Sequence, residues 1–260
     1  MAFTWAGDLS GAMPIVRKFQ IGVNCYQGQL AAADISKTTG GYVKPCPVAA
    51  AYPDTATRIL GIITGIATSP TYTASYYKGD LGTYDTSTAT LQANDPVGPA
   101  LAEVTLITPT TLIKAPIYHT TPGTALHCLA ATTAVTAGTT FVTSGFDAAV
   151  DGYSTAYCRT GTNAGKYRKV DGTGTTTQTF VIPWTYGVAI DDTFVVANIA
   201  EGQSHIDLLA TYVNGIDGTA ALTNYYCAYV HELNLAESGK EYAVFSLCAS
   251  HLVIGSALAT

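Results

Sequence analysis

The stretch Gly161–Val196 constrains the fold of this chain most, because it consists of short β-runs and turn residues and shows no helical period. Lys166–Val170 alternates as an edge or half-exposed strand does. Asp171-Gly172 follows it and is a strong hairpin signal, with the next strand in the Thr-rich run after it. Asp191-Asp192 marks a second turn, before the β-branched strand Thr193–Val196. The stretch therefore predicts strand, tight turn, strand, an aromatic corner and a further strand.

The rest of the chain shows the same pattern of short β-runs separated by turn residues. Charged residues make up 12 % of the sequence, against about 25 % in a typical soluble domain. Long helices carry Glu and Lys on their wet side, so this scarcity disfavours a helical protein. Turn residues recur at intervals of roughly ten residues, as in β-sandwiches and barrels. We expect an all-β protein, a β-barrel or β-sandwich of short strands with at most one or two short helices.

Two segments are candidates for those helices. Gly202–Ile216 places Ile206 and Leu209 near helical spacing and has Ser204 as an N-cap. Ala125–Ala137 is ambiguous, since its threonines weaken a helix that its alanines would favour.

Other elements are read more directly as strands. Ile59–Ile66 reads as a buried strand whose glycines, Gly61 and Gly65, mark a bulge or the close approach of another backbone. Asn224–Asn234 and Glu241–Val253 read as a final hairpin.

The predicted organisation is a short arm followed by two β-rich parts. Residues 1–14 form the arm, 15–119 a β-barrel domain and 120–260 a second β-rich domain, with the boundary at the Pro-Gly turn near His119–Gly123. In an alternative division, residues 121–200 are an insertion and 201–260 pack back on the first half. The arm, with Phe3 and Trp5, is either a free docking segment or a strand folded onto its own domain.

Charge and hydropathy exclude several function classes. The net charge is −6, and the basic clusters are only Arg17-Lys18 and Lys166/Arg168/Lys169, so no patch suits nucleic acid. No apolar run reaches the roughly 18 residues that span a bilayer, and no charged-then-apolar leader is visible. The six cysteines are widely spaced without a C-x-x-C motif, which favours reduced, buried thiols over a zinc site.

The sequence shows no catalytic signature, and we expect no enzyme, metal or cofactor. Gly161–Lys166 resembles a phosphate loop, but Thr160 and Tyr167 stand where the motif needs Gly and Ser or Thr, so we interpret it as a β-turn. There is no G-x-S-x-G. Cys158 beside Arg159 could have a lowered pKa, although a buried strand cysteine is the stronger interpretation. The five histidines lack metal-ligand spacing.

The sequence also resembles a known family. Tyr26–Gln29, Gly41–Val43, Ile59–Ile62, Asp95–Ala100 and Val104–Ile117 are similar to the small β-barrel decoration, or cement, proteins of tailed-phage capsids. Gly161–Arg168 and Asp192–Val196 also resemble segments of phage structural proteins.

This resemblance implies a structural virion protein that binds the major capsid protein as a dimer or trimer on the outer surface of the capsid and stabilises it. It would be made in the host cytoplasm, with no nucleic-acid or membrane partner. The alternatives are a tail or fibre component and a carbohydrate-binding adhesin, the latter suggested by 17 tyrosines. The residues expected to contact the shell are aromatic or basic: Phe3, Trp5, Arg17, Lys18, Lys166, Arg168, Lys169, Trp184 and Tyr186.

Overall fold

The computed structural model of this protein describes residues 2–21, 25–33, 42–46, 58–67, 77–78, 83–84, 101–119, 123–143, 145, 154–170, 176–208, 215–219 and 226–253. These residues are almost entirely strands and turns, and the one helical element among them is a 3-10 turn, Ala249–His251. The expected all-β fold with a barrel is therefore confirmed.

The chain divides into two compact units. The first contains residues 1–114, 212–214 and 246–260, and the second contains residues 115–211 and 215–245. The division falls between Lys114 and Ala115, within one strand, whereas the sequence analysis placed it near His119–Gly123.

The first unit contains a closed barrel in the order β2-β5-β4-β6-β9. β2 runs antiparallel to β9 and parallel to β5, which closes the barrel and leaves no free edge. Its strands are β2 (Val16–Ile21), β4 (Leu30–Ala33), β5 (Tyr42–Pro45), β6 (Ile59–Ala67) and β9 (Leu101–Leu106). A small sheet in the order β3-β8-β7 has strands β3 (Cys25–Tyr26), β7 (Tyr77–Lys78) and β8 (Thr83–Tyr84).

The glycines of β6 match their predicted use. A Cβ on Gly61 would collide with the carbonyl oxygen of Thr105 on β9, so only glycine fits. Gly65 lies at a register shift between β6 and β9, which is the expected bulge. The barrel interior is accordingly filled by fully buried side chains such as Ile63 and Val104.

The first residues form a strand on their own unit. β1 (Thr4–Asp8) pairs antiparallel with the first half of β10 (Thr111–Tyr118). Phe3 is 1 % exposed, and its N–H donates to the carbonyl of Gly28 at 3.1 Å. The second alternative for the arm is therefore the one that the structure adopts, and Phe3 is a core residue rather than a surface contact. Burial of such a side chain stabilises a fold by about 1.5–3 kcal/mol, which holds the arm in place.

The second unit contains a four-stranded sheet in the order β11-β16-β13-β14 and a two-stranded sheet of β12 and β15. Its core holds the aromatic residues Phe141, Phe180, Trp184 and Phe194. The strands are β11 (Cys128–Ala130), β12 (Thr140–Val142), β13 (Thr155–Cys158), β14 (Tyr167–Lys169), β15 (Thr177–Thr179) and β16 (Thr193–Ala197).

The predicted pairing of the two strands around Asp171-Gly172 is different in the structure. β14 pairs with β13, and β15 pairs with β12. Among the described residues, the bridge Val170–Phe180 is the one ladder contact that joins the two runs. Asp171-Gly172 itself lies outside the described residues. The predicted strand after Asp191-Asp192 is confirmed as β16, and the turn closes with the N–H of Asp192 donating to Ala189.

The remaining strands of the second unit include the predicted C-terminal hairpin. β19 and β20 are neighbours in a sheet that continues to β17 on one side and β10 on the other, with β18 paired to β10. A turn at Glu237–Lys240 joins the hairpin, and Ala243 and Phe245 point into the core. The strand bounds are β17 (Gly202–Ile206), β18 (Ile216–Asp217), β19 (Tyr226–Asn234) and β20 (Tyr242–Leu247).

The predicted helix over Gly202–Ile216 is wrong for residues 202–208, and its residues 209–214 lie outside the described residues. Gly202–Ile206 is strand β17, in which Ser204 and Ile206 are buried, His205 between them is half-buried and Gln203 is exposed. Burial thus alternates with the period of two of a β-strand. Pairing with β19 stabilises this strand and outweighs the weak helical spacing of the apolar residues. Ala125–Ala137 likewise contains strand β11 and turns rather than a helix.

Candidate interaction site

Residues 181–190 form a loop of the second unit between β15 and β16, and the buried side-chain amide of Asn163 holds it in place. The side chain of Asn163 is fully buried. Its Nδ2 donates to the carbonyls of Tyr186, at 3.0 Å, and Gly187, at 3.2 Å, and its Oδ1 accepts from the N–H of Tyr186, at 3.2 Å. Three bonds from one side chain fix the backbone of this loop, which the following text calls the 181–190 loop.

Trp184 is the second anchor of the 181–190 loop. Its indole is 3 % exposed and packs edge-on against Phe180 and Phe194, with ring centroids 5.1 and 5.3 Å away. The backbone N–H of Trp184 donates to the carbonyl of Gly138 at 2.9 Å. Gly138 has a φ of 62° and leaves no room for a Cβ, which would lie 2.8 Å from the Tyr186 carbonyl. Trp184 is therefore a core residue, and its burial does not support the expected role as a surface contact.

Two cations of the predicted cluster are fixed against these rings. The guanidinium of Arg168 lies 5.1 Å from the Trp184 ring centroid, and its Nε donates to the carbonyl of Pro183 at 3.1 Å. The ammonium of Lys166 lies 4.6 Å from the centroid of Tyr186. Both are cation–π contacts, so the positive charges are held beside the aromatic surface. Lys169 lies exposed on the other face of β14 because side chains alternate along a strand.

The 181–190 loop also exposes large hydrophobic side chains. Val181 is 51 %, Ile182 65 %, Tyr186 56 % and Ile190 58 % exposed. The sequence analysis identified Tyr186 as a contact residue but not Val181, Ile182 or Ile190. In the run Phe180-Val181-Ile182, which Pro183 ends, only Phe180 is buried. We define the contact surface as these four side chains together with Lys166 and Arg168.

The other expected contact residues lie in the first unit. Arg17 and Lys18 are exposed on β2, and Lys18 forms an exposed ion pair with Glu103 at 3.8 Å. Trp5 is half-buried on β1. Sequence reasoning missed a set of exposed hydrophobic residues near the start of the chain: Leu9, Met13, Ile15 and Val16. Met13 and Ile15 line a cavity of about 250 Å³ together with Trp5 and Asp8.

The structure supports the interpretation of Cys25 and Cys158 as buried thiols. Burial raises the pKa of Cys25 to about 12, and burial followed by repulsion from Asp192 raises that of Cys158 to about 12. A thiol with such a pKa is not a nucleophile near neutral pH, so Arg159 does not activate Cys158. Arg159 instead forms a 2.6 Å ion pair with the buried Glu241.

Gly161–Lys166 is a turn, as expected. The Ala164 N–H donates to the carbonyl of Gly161 at 3.2 Å, and no helix follows to face a phosphate.

His119 and His127 come together, which the sequence did not indicate. Their rings stack with centroids 4.1 Å apart. Across the described ranges, no three His, Cys, Asp or Glu residues lie together as a metal would need.

No protein-family model matches the chain, and no curated protein or solved structure matches it either. A search of the described residues found no helix long and apolar enough to cross a membrane. Any statement about function therefore rests on the fold and the contact surface.

Proposed function

We propose that this protein is a structural virion protein of the capsid-decoration type, which binds the outer surface of a phage capsid through the contact surface and acts without catalysis. The observation that carries the proposal is the 181–190 loop, where four large hydrophobic side chains are exposed on a backbone that Asn163 and Trp184 hold rigidly. Exposed apolar groups clustered in this way are typical of protein interaction sites.

The rigidity of the loop favours tight binding. Association loses free energy when loops and side chains become ordered, by about 0.5–1.5 kcal/mol for each flexible side chain. The 181–190 loop is already ordered by the Asn163 amide, and the Lys166 ammonium is already placed over Tyr186. The cost of ordering on binding is therefore small.

The charges of the contact surface favour an acidic partner surface. Lys166 and Arg168 lie beside exposed apolar groups, in a chain whose net charge is −6. Opposite charges at the rim of an interface steer association and fix orientation. We therefore propose that the capsid partner, the major capsid protein, presents carboxylates around an apolar depression, and that many copies, as dimers or trimers, stabilise the assembled shell by binding it preferentially.

Co-sedimentation with capsid shells that lack the protein tests this proposal. Tyr186→Ser should weaken binding about 30-fold, as expected when a central aromatic contact worth about 2 kcal/mol is lost. Tyr229→Ser is the matched control, because Tyr229 is similarly exposed, at 53 %, on β19 of the same unit and outside the contact surface. Equal binding by both variants would refute the contact surface, and no binding of the wild type to any shell would refute the decoration role.

A further inference from the structure

A second site lies on the other face of β14. A cavity of about 230 Å³ opens there, entirely within the second unit. Its lining includes Tyr167, Arg168, Lys169, Ala200, Glu201 and Leu233. A single water needs only about 10–15 Å³ of such volume, so the cavity has room for a small polar ligand.

The wall of the cavity is a tyrosine held in a fixed position. The Tyr167 hydroxyl accepts a hydrogen bond from the N–H of Leu235 at 3.1 Å, and its ring packs on Tyr157 with centroids 4.6 Å apart. The ring is still 36 % exposed. Burial of the hydroxyl is the largest cause that raises the pKa of Tyr167, so the group stays protonated at neutral pH. A rigid, partly exposed aromatic ring offers an apolar surface beside a polar group.

The rim of the cavity carries two charged side chains of opposite sign. Lys169 and Glu201 are both exposed. Within the described part of the chain, neither side chain has a hydrogen-bond or ion-pair partner. A hydroxyl group can accept from the Lys169 ammonium and donate to the Glu201 carboxylate, and such charge-assisted bonds are about twice as strong as neutral ones. Ala200 and Leu233 supply an apolar base.

We propose that this cavity binds a neutral hexose-sized sugar at the end of a glycan, with one ring face on Tyr167 and neighbouring hydroxyls on Lys169 and Glu201. This is a binding function beyond the shell contact. Arg168 borders both sites, because it lines the cavity while its guanidinium lies against the Trp184 ring. An apolar ligand would leave the Lys169 and Glu201 charges without partners. A polyol can hydrogen-bond to both charged side chains at the rim.

Saturation-transfer NMR tests this proposal, because it detects the millimolar affinity expected of a single sugar. The panel is free glucose, galactose, mannose and their N-acetyl derivatives, each at about 20 mM. At least one sugar should receive saturation from the protein. Glu201→Gln and Lys169→Gln should each weaken that sugar's binding about tenfold, because each removes a charge-assisted hydrogen bond. The matched controls are Glu237→Gln and Lys240→Gln, which alter an exposed ion pair at the β19–β20 turn.

Three results would overturn the proposal. The first is that no sugar of the panel receives saturation, and the second is that the pocket variants bind as well as the controls. The third is that a free amino acid such as glycine binds while the sugars do not, since a zwitterion could also bridge Lys169 and Glu201.

Discussion

Replacement of Asn163 by alanine tests how the contact surface is built, because it changes no exposed side chain. The substitution removes three hydrogen bonds, two to the carbonyls of Tyr186 and Gly187 and one from the Tyr186 N–H. Each is worth about 1 kcal/mol net, so the loss is about 3 kcal/mol, and more if these buried backbone groups find no water. We expect urea unfolding to show this loss together with weaker shell binding, although Tyr186 itself is intact.

The control for this experiment is Asn234→Ala, whose side chain accepts an exposed hydrogen bond from the N–H of Ala236 and also interacts with Tyr242. It should cost less than about 1 kcal/mol and leave shell binding unchanged. Hydrogen exchange provides the local readout, since the amides of the 181–190 loop should exchange faster in Asn163→Ala only. If Asn163→Ala unfolds at the wild-type urea concentration, or keeps wild-type binding with a protected loop, the account of a preorganised surface is refuted.

Three further predictions follow from buried groups. Burial, and then repulsion from Asp217, raises the pKa of Asp207 to about 7. The protonated carboxyl therefore stabilises the folded state at low pH. As the pH rises from about 4 to 7, the free energy of unfolding falls by on the order of 3 kcal/mol. The gain in unfolding free energy of Asp207→Asn over wild type should therefore be larger at pH 8 than at pH 5, and an equal gain at both would contradict this. Phe3→Ala should destabilise the first unit by about 3–5 kcal/mol in calorimetry, since Phe3 is 1 % exposed; an unchanged melting temperature would place Phe3 at the surface. In the native protein at pH 8, iodoacetamide should label the exposed Cys128 and spare the buried Cys158, and mass spectrometry showing equal labelling would contradict their burial.

Local chemistry in the sequence predicted much of the fold. Gly61 and Gly65 indicated a close backbone and a bulge because nothing but glycine suits such positions, and both are found. The alternation in the final hairpin was equally direct, since Ala243 and Phe245 are buried. Such signals are contained within a few residues.

Long-range pairing could not be predicted in the same way. The run after Lys166 could pair with either neighbour, and the choice of β13 over β15 depends on the whole sheet. The helix predicted at Gly202–Ile216 failed for the same reason, because partner β19 selects a period of two.

The contact surface was only partly predictable. Lys166, Arg168 and Tyr186 were identified from the sequence because charge is scarce in this chain and aromatic residues suit contacts. Asn163 was missed because its partners lie 23 and 24 residues away, and no local pattern marks a buried amide. Phe3 was placed in a contact because an aromatic residue near a terminus suits either a core or an interface, and only β1 pairing decides between them.

Electron cryomicroscopy of phage capsid shells incubated with the purified protein tests the central proposal most directly. We predict density on the outer surface at every symmetry-related position, with the 181–190 loop against the shell and Lys166 and Arg168 facing carboxylates. Shells without added density, or density confined to a tail or fibre of the complete particle, would contradict the decoration role.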